Sequence, residues 1–558
     1  MAEIYNCIVI GAGWFGLAAA KSYIELHPTE KVLIVEAESS CGGTWSHDRL
    51  YPGLKSNNLW GSYEYPDFPM VEEVYGVKYG EHIPAATLHR YLTDFAKKFG
   101  VFERTRFNTA VDAIESVDDG SWKIHVKPTK GDGKPEILHT KKLIVASGLT
   151  SNPNLPTYPG QETFTPPFFH AKDFRTHADT VKTCKRAVIV GGAKSAFDCA
   201  YAYATEGGAQ VDLIVRPSGQ GPVWISPPWV TPLKRMMEEL LSTRALTWFS
   251  PVPWDDDGYG VVRKFLHGTL PGNLMVKAFW SLISSDIVEA HGFNEHPEVF
   301  KLKPWHGAQW TGSGVSIHNY DTNFFDLIRE GKVRVHIADV ERLDGTTVHL
   351  TDGQALATDV VICATGWKKD SGIRHVNFDT GLPHSKADKE RLSDAADQQV
   401  REMFPGLKDQ PVLRYTPIKQ EPLRNYRFIV PTNAVFKRNI AFAGMVSTVC
   451  TATFASVQAL WISAFLDGKL KRSPKNDAEV LKEVMLHTQF GKWRYPCGYG
   501  AAIPDFAFDS VPYVDLLVND LGLNPRRKAS QMAELVEPYK PKDYKGLTEE
   551  WVASLKGL

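Results

Sequence analysis

Two glycine turns in this chain of 558 residues lead, at the same spacing, to side chains of opposite charge. In IVIGAGWFG, Gly11 lies twenty-five positions before Glu36; in AVIVGGAKSA, Gly191 lies twenty-five positions before Arg216. Each copy reads as strand, turn, helix, strand, the second strands being Lys31–Val35 and Val211–Val215. That pattern is a dinucleotide-binding βαβ unit, with phosphates at a helix N-terminus. A carboxylate at the end of the second strand accepts hydrogen bonds from free ribose hydroxyls. A guanidinium there favours a 2′-phosphate. The first site is therefore expected to hold FAD and the second NADPH, and the pair implies hydride transfer from nicotinamide to flavin.

The glycines have separate tasks. Gly11 permits the tight turn, Gly13 lets the backbone approach a pyrophosphate, and Gly16 lets helix and strand pack closely. The second loop is degenerate: Ala193 and Ala196 stand where glycines would, and Lys194 and Ser195 add a cation and a hydroxyl for phosphates. After Glu36, SSCGGTW offers Gly43, Thr44 and Trp45 as a second close backbone approach to a cofactor, or as a structural turn.

These sites need two α/β units to position them. The fold expected is two three-layer, Rossmann-like domains, the second inserted into the first. Residues 1–180 and 362–558 form the FAD domain and 181–361 the NADPH domain. Strands are expected over 111–128 and 138–146, then at Val333–Ile337, Thr347–Leu350 and Val360–Ala364, with a helix at Asn323–Arg329. Between about 222 and 310 the rhythm breaks. Seven of the fifteen tryptophans fall there, with helices around Leu233–Leu241 and Met275–Ile283. This mostly helical insertion reads as a small aromatic core, an apolar substrate wall or a membrane-surface patch. Val446–Phe465 carries no charge over the usual spanning length, but its Ser, Thr and Gln458 favour a buried helix. After Arg526 the chain reads as a charged, poorly periodic tail.

A net charge of −1 gives no reason to expect nucleic acid. Seven scattered cysteines without a CxxC pair argue against a disulfide framework, a metal site and dithiol chemistry. With no secretory signal they suit a cytoplasmic protein.

The GxGxxG, the GGTW, the second loop and the late ATGW together resemble the class B flavoprotein monooxygenases. FTPPFFHAKDF resembles the fingerprint of the flavin-containing branch, with Phe164, His170 and Phe174 in place and Pro166 where that branch has glycine. RLYPGLKSNN places Asn57 six residues after Tyr51, where the flavin-containing branch has Asn and Baeyer–Villiger enzymes have Asp. The YPG itself is Baeyer–Villiger-like. FDSVPYVDLLVNDLGLNPRRK is similar to the closing segment of the flavin-containing enzymes. The resemblance implies a cycle in which NADPH reduces FAD and the flavin forms a C4a-hydroperoxide with O2. One oxygen atom then passes to an apolar small molecule by N- or S-oxygenation or hydroxylation. Asn57 is the expected catalytic residue, an uncharged donor beside the flavin. Thr365 and Gly366 are expected at the turn back to the flavin domain, and His170 as a structural link between domains. The rival readings are a Baeyer–Villiger enzyme, an NADPH oxidase or flavin reductase, and a non-enzymatic nucleotide sensor. A biosynthetic or detoxifying role fits an aromatic-lined site; oligomeric state is not legible.

Overall fold

The structure is a computed structural model that describes residues 3–556 apart from 231–233, 255, 383–384 and 416–420. Its centre is an eight-stranded sheet around the strand Ile4–Ile10. Val32–Val35 and Glu136–Val145 flank that strand in parallel, with Ile8 opposite both Leu33 and Leu143. Where they are most deeply covered, at Cys7–Ile10, Val32–Val35 and Leu143–Val145, these strands are continuous apolar runs rather than alternating ones. Beyond Glu136–Val145 the sheet turns antiparallel through Trp122–Pro128 and Thr109–Ser116. The expected strand 111–128 is thus a hairpin, broken at the Asp118–Gly120 turn, where Val117 donates to Ser121. Arg374–Val376 and Ile440–Phe442 join the sheet from late in the sequence.

A second sheet of five parallel strands runs Phe168–His170, Val360–Cys363, Arg186–Val190, Gln210–Ile214, Val333–His336. The chain therefore leaves the first sheet, builds the second, and returns. The two crossings are tied to each other: Trp367–Lys368 pairs antiparallel with Asn152–Pro153. Thr365 Oγ1 donates to Asn154 O at 2.6 Å, and Asn154 N donates to Gly366 O at 3.0 Å.

The uncharged stretch near 450 is a sixteen-residue helix, Thr451–Leu466, preceded by a short strand Ser447–Thr448. It packs against the first dinucleotide helix, Trp14–Leu26. Small residues line both helices (Ala18, Ala19 and Ser22 on one, Ala455, Ala459 and Ser463 on the other), and the two serine hydroxyls meet at 3.2 Å. Gln458 is fully buried because both ends of its amide are used: it accepts from Gly444 N and donates to Tyr513 Oη, each at 3.0 Å. Among the described residues no helix is long and apolar enough to cross a membrane.

The aromatic insertion is mostly helical, as its composition suggests. Its ends are closed by the parallel strand pair Trp224–Ser226 and Val315–Ile317. The expected helix at 233–241 is shorter: Leu233 lies outside the described residues, Arg235–Met236 is extended, and the helix is Met237–Leu241. The helix expected at Met275–Ile283 extends over Leu270–Ala290, capped by Thr269 and started by Pro271. The tail after Arg526 is not loose. Tyr539, Tyr544 and Trp551 are buried in the main core, and Glu534 accepts from the fully buried Arg244 of the insertion at 2.7 Å. Its anchors are spaced by turns and short helices, so no single period marks them.

Candidate functional site

At the first loop the geometry accounts for each glycine. Gly11 has φ +99°, and a Cβ there would lie 2.4 Å from Ala146 O. A Cβ on Gly16 would lie 1.9 Å from Gly11 O, so helix and loop meet only because Gly16 lacks a side chain. Gly42 N donates to Ala12 O at 2.9 Å, which docks the second glycine loop on the first. Gly43 then faces Gly13, a Cβ on it falling 3.1 Å from Gly13 Cα. Thr44 Oγ1 meets Thr150 Oγ1 at 3.0 Å, and Trp45 is buried with its indole N–H on Tyr63 Oη at 3.2 Å. Glu36 accepts from Ala12 N at 2.6 Å and from Glu38 N at 2.8 Å. Burial pushes its carboxyl up, and these backbone donors pull it back. Acceptor capacity remains for ribose hydroxyls.

The second loop is built alike. Gly191 has φ +150°, and a Cβ there would lie 2.4 Å from Ala364 O. Ala193 and Ser195 are exposed at the start of the helix Lys194–Thr205, open to a phosphate. Lys194 is committed inward: its ammonium pairs with Asp198 and lies 4.4 Å from the Tyr320 ring centroid. Tyr51 and Tyr320 donate to the same Asp198 at 3.2 and 3.0 Å. The Tyr51 turn of the first unit is therefore fastened to the second dinucleotide helix. Arg216 differs. Among the described residues its guanidinium has no ion pair and no side-chain hydrogen bond, and it stands half-buried at the strand end.

Asn57 lies on the strand Lys55–Leu59. Ser316 Oγ donates to its Oδ1 at 3.2 Å, which leaves the Asn57 amide N–H groups available. The strand is held from three sides: Asn319 Nδ2 donates to Lys55 O and Ser56 O at 3.2 and 3.1 Å. Asn58 Nδ2 donates to Val449 O at 3.0 Å. Leu59 N donates to Glu238 Oε1 at 2.8 Å. The basic groups of this strand and of the residues coupled to it are paired or neutral. Lys55 pairs with Asp321 at 2.5 Å, Lys194 with Asp198, and burial lowers His82 and takes His318 down to about 4.

His170 is a satisfied link. Its Nδ1 accepts from Lys172 N at 3.1 Å, so Nε2 carries the proton and donates to Gly366 O at 3.0 Å. Burial keeps it neutral. Phe174 packs on Tyr51 at 5.1 Å.

Sequence reasoning missed Glu238, Ser316 and Lys369. Glu238 is buried, its Oε2 has no hydrogen-bond partner among the described residues, and burial pushes its carboxyl up to about 7. Lys369 lies 4.1 Å from the Tyr499 ring centroid, and burial takes it down to about 8, Asp505 opposing. Asp505 in turn accepts from Ser313 N, and Ser313 meets Ser447 at 2.6 Å.

A profile of the pyridine nucleotide-disulphide oxidoreductase family matches residues 8–247. Every cysteine is free, so the shared feature is the nucleotide unit and not the disulfide. FAD-dependent monooxygenase resA of Aspergillus sclerotiorum is 32% identical over 99% of this chain and 98% of its own length. The chain belongs to the FAD-dependent monooxygenases. A monooxygenase of the same description from Pyrenophora dematioidea is 33% identical over 95% of this chain and all of its own. The fold matches cyclohexanone monooxygenase of Rhodococcus sp. Phi1 bound to NADP+, with a TM-score of 0.61 at 17% identity, covering 94% of this chain and 98% of that one. S-allyl-L-cysteine S-oxygenase of Allium sativum matches at 0.54 and 17%, covering 100% and 93%. This is a class B flavoprotein monooxygenase that uses FAD, O2 and a small-molecule substrate.

The residues of this monooxygenase fit FAD. Gly13 and Gly43 pack together and present bare backbone, as close approach to a pyrophosphate would require, and Glu36 would accept from the adenosine ribose hydroxyls.

Proposed function

We propose that this monooxygenase takes its electrons from NADPH. We further propose that it delivers one oxygen atom of O2 to nitrogen or sulfur, or hydroxylates carbon, in an apolar small molecule. The observation that carries the reading is that Asn57 is held by a neutral partner, the Ser316 hydroxyl, with its own amide N–H groups left over. Bound FAD, reduced by NADPH, supplies the activation of O2; the protein orients, shields and controls protons. Asn57 Nδ2 offers a donor without charge, and Ser316 fixes the amide by holding its Oδ1. With Lys55 and Lys194 paired and His82 and His318 biased to neutral, nothing bonded to Asn57 favours loss of a proton from the reacting oxygen. A setting that keeps the reacting oxygen protonated would suit acceptance of a lone pair from electron-rich nitrogen or sulfur.

At the other site, Ser195 and the N-terminus of its helix would take the pyrophosphate, and unpaired Arg216 the 2′-phosphate. Lys194 acts indirectly, holding the helix to Tyr51 through Asp198.

A second reading, oxygen insertion beside a ketone, is favoured by one observation. Lys369 is a partly buried cation without an ion pair among the described residues, just after the crossing strand Trp367–Lys368. A panel of methyl phenyl sulfide, N,N-dimethylaniline and cyclohexanone, with NADPH and O2, separates the two. The proposal expects sulfoxide or N-oxide; lactone as the sole product would overturn it in favour of the second reading.

A further inference from the structure

We propose that Arg49 and Lys172 form a phosphate subsite at the edge of the first dinucleotide site. The group it takes is a diphosphate, that of bound FAD. The inference rests on the FAD that this family uses and not on the proposed electron donor or substrate.

Two cations are gathered here without a counter-ion. Arg49 Nη2 donates to Thr150 O and Lys172 Nζ to Ser151 O, each at 3.0 Å. One side chain comes from the turn before Tyr51 and the other from the segment after His170, and they meet on consecutive carbonyls. Both are half-buried, and among the described residues neither forms an ion pair. Burial lowers both, and repulsion by Arg49 lowers Lys172 further. Glu38 and Asp173 oppose this for both cations, and Glu36 for Arg49, all from beyond salt-bridge reach. Like charges brought together away from water are unfavourable until an anion joins them. The donors left over suit a phosphate: Arg49 keeps Nε and Nη1, and Lys172 two further N–H groups. The guanidinium is held over the Trp367 ring, 5.1 Å from its centroid, and Arg175 fixes the turn by donating to Leu50 O at 3.0 Å.

Three links tie this pair to the first glycine loops. Thr150, whose carbonyl holds Arg49, meets the exposed Thr44 hydroxyl through its own at 3.0 Å, and Thr44 follows Gly43. Either hydroxyl can turn its proton to an oxyanion. The loop that carries Thr150 and Ser151 begins beside Gly11, since a Cβ on Gly11 would lie 3.6 Å from Ser147 N. The Ser147 hydroxyl is buried and has no hydrogen-bond partner among the described residues, so a polar group on this loop lacks the partner that burial calls for. Finally, Arg49 feels the charge of Glu36, the residue that serves the ribose of the same cofactor.

The test follows release of FAD from the loaded protein on dilution, read as the rise of flavin fluorescence. Arg49→Gln and Lys172→Gln should each speed release by about fivefold or more. Added salt should speed release from the unmodified protein more than from either variant, because part of the attraction it screens is gone. Loss of a merely structural contact would leave that salt dependence alone. Lys172→Arg, which keeps the charge, should keep release slow. If Arg49→Gln fails to fold, Lys172→Gln carries the test. Calorimetric binding of NADP+ to the same loaded proteins separates the two sources of diphosphate and should be unchanged. Weaker NADP+ binding with FAD release unaltered would overturn the assignment to FAD. Release and salt dependence equal to those of the unmodified protein, in Lys172→Gln and in Arg49→Gln where it folds, would overturn the subsite.

Discussion

Replacing Arg216 with Gln should separate the two nicotinamide cofactors. The residue lies two positions past the strand Gln210–Ile214, and among the described residues its guanidinium binds no other group. Its removal therefore breaks no intramolecular pair, and the thermal midpoint should stay where it was. The loss falls on the ligand alone. A hydrogen-bonded charge contact contributes about 1.5–3 kcal/mol. At about 1.4 kcal/mol per factor of ten, the KM for NADPH should rise about 10- to 150-fold. The KM for NADH, which lacks the 2′-phosphate, should change by no more than a small factor. The assay is initial-rate NAD(P)H consumption at saturating oxygen, with each cofactor titrated separately. Equal effects on the two cofactors, or none on either, would refute the assignment of Arg216 to the 2′-phosphate.

Other perturbations follow from the same geometry. Asn57→Asp puts a charge where Lys55 and Lys194 are already paired, and should divert NADPH oxidation into hydrogen peroxide; unchanged coupling, measured as peroxide per NADPH, would count against a role for the amide. Gly16→Ala drives a methyl to 1.9 Å from Gly11 O and should leave purified protein without FAD, read from its visible absorbance. His170→Phe removes the bonds to Gly366 O and Lys172 N and should cost about 1–3 kcal/mol, measured by denaturant unfolding. Glu238 gives a signed pH effect. Its carboxyl is raised in the folded state, so between about 4.5 and 7 the folded protein binds more protons than the unfolded chain and stability falls as pH rises. Glu238→Gln should flatten that part of the stability profile relative to the unmodified protein, and identical slopes would remove the assignment.

How much could be read in advance follows from where each partner lies. The Gly11–Glu36 and Gly191–Arg216 spacings are set by one strand, one turn and one helix, all local, so the sequence carries them openly. The pairing of Lys194 with Asp198, one helical turn away, is local; its tie through Asp198 to Tyr51 and Tyr320 is not, since both lie far off in the sequence. Glu238 sits in an MEELL run, where acids in the first turn of a short helix usually face water. Only the distant strand Lys55–Leu59 converts it into a buried acceptor. Ser316 carries no signal of its own: it matters because the strand pair Trp224–Ser226 and Val315–Ile317 brings the far end of the insertion to Asn57. The tail beyond Arg526 is poorly periodic, as its sequence reads, but its burial was not legible, since Glu534 finds its partner Arg244 290 residues away.

The most direct test of the central claim is isotope transfer. The FAD-loaded protein would be turned over with NADPH, methyl phenyl sulfide and heavy-isotope dioxygen, and the sulfoxide analysed by mass spectrometry. The account predicts one labelled oxygen in each sulfoxide and a dependence on NADPH. Unlabelled sulfoxide, or hydrogen peroxide equal to the NADPH consumed with no product, would contradict it.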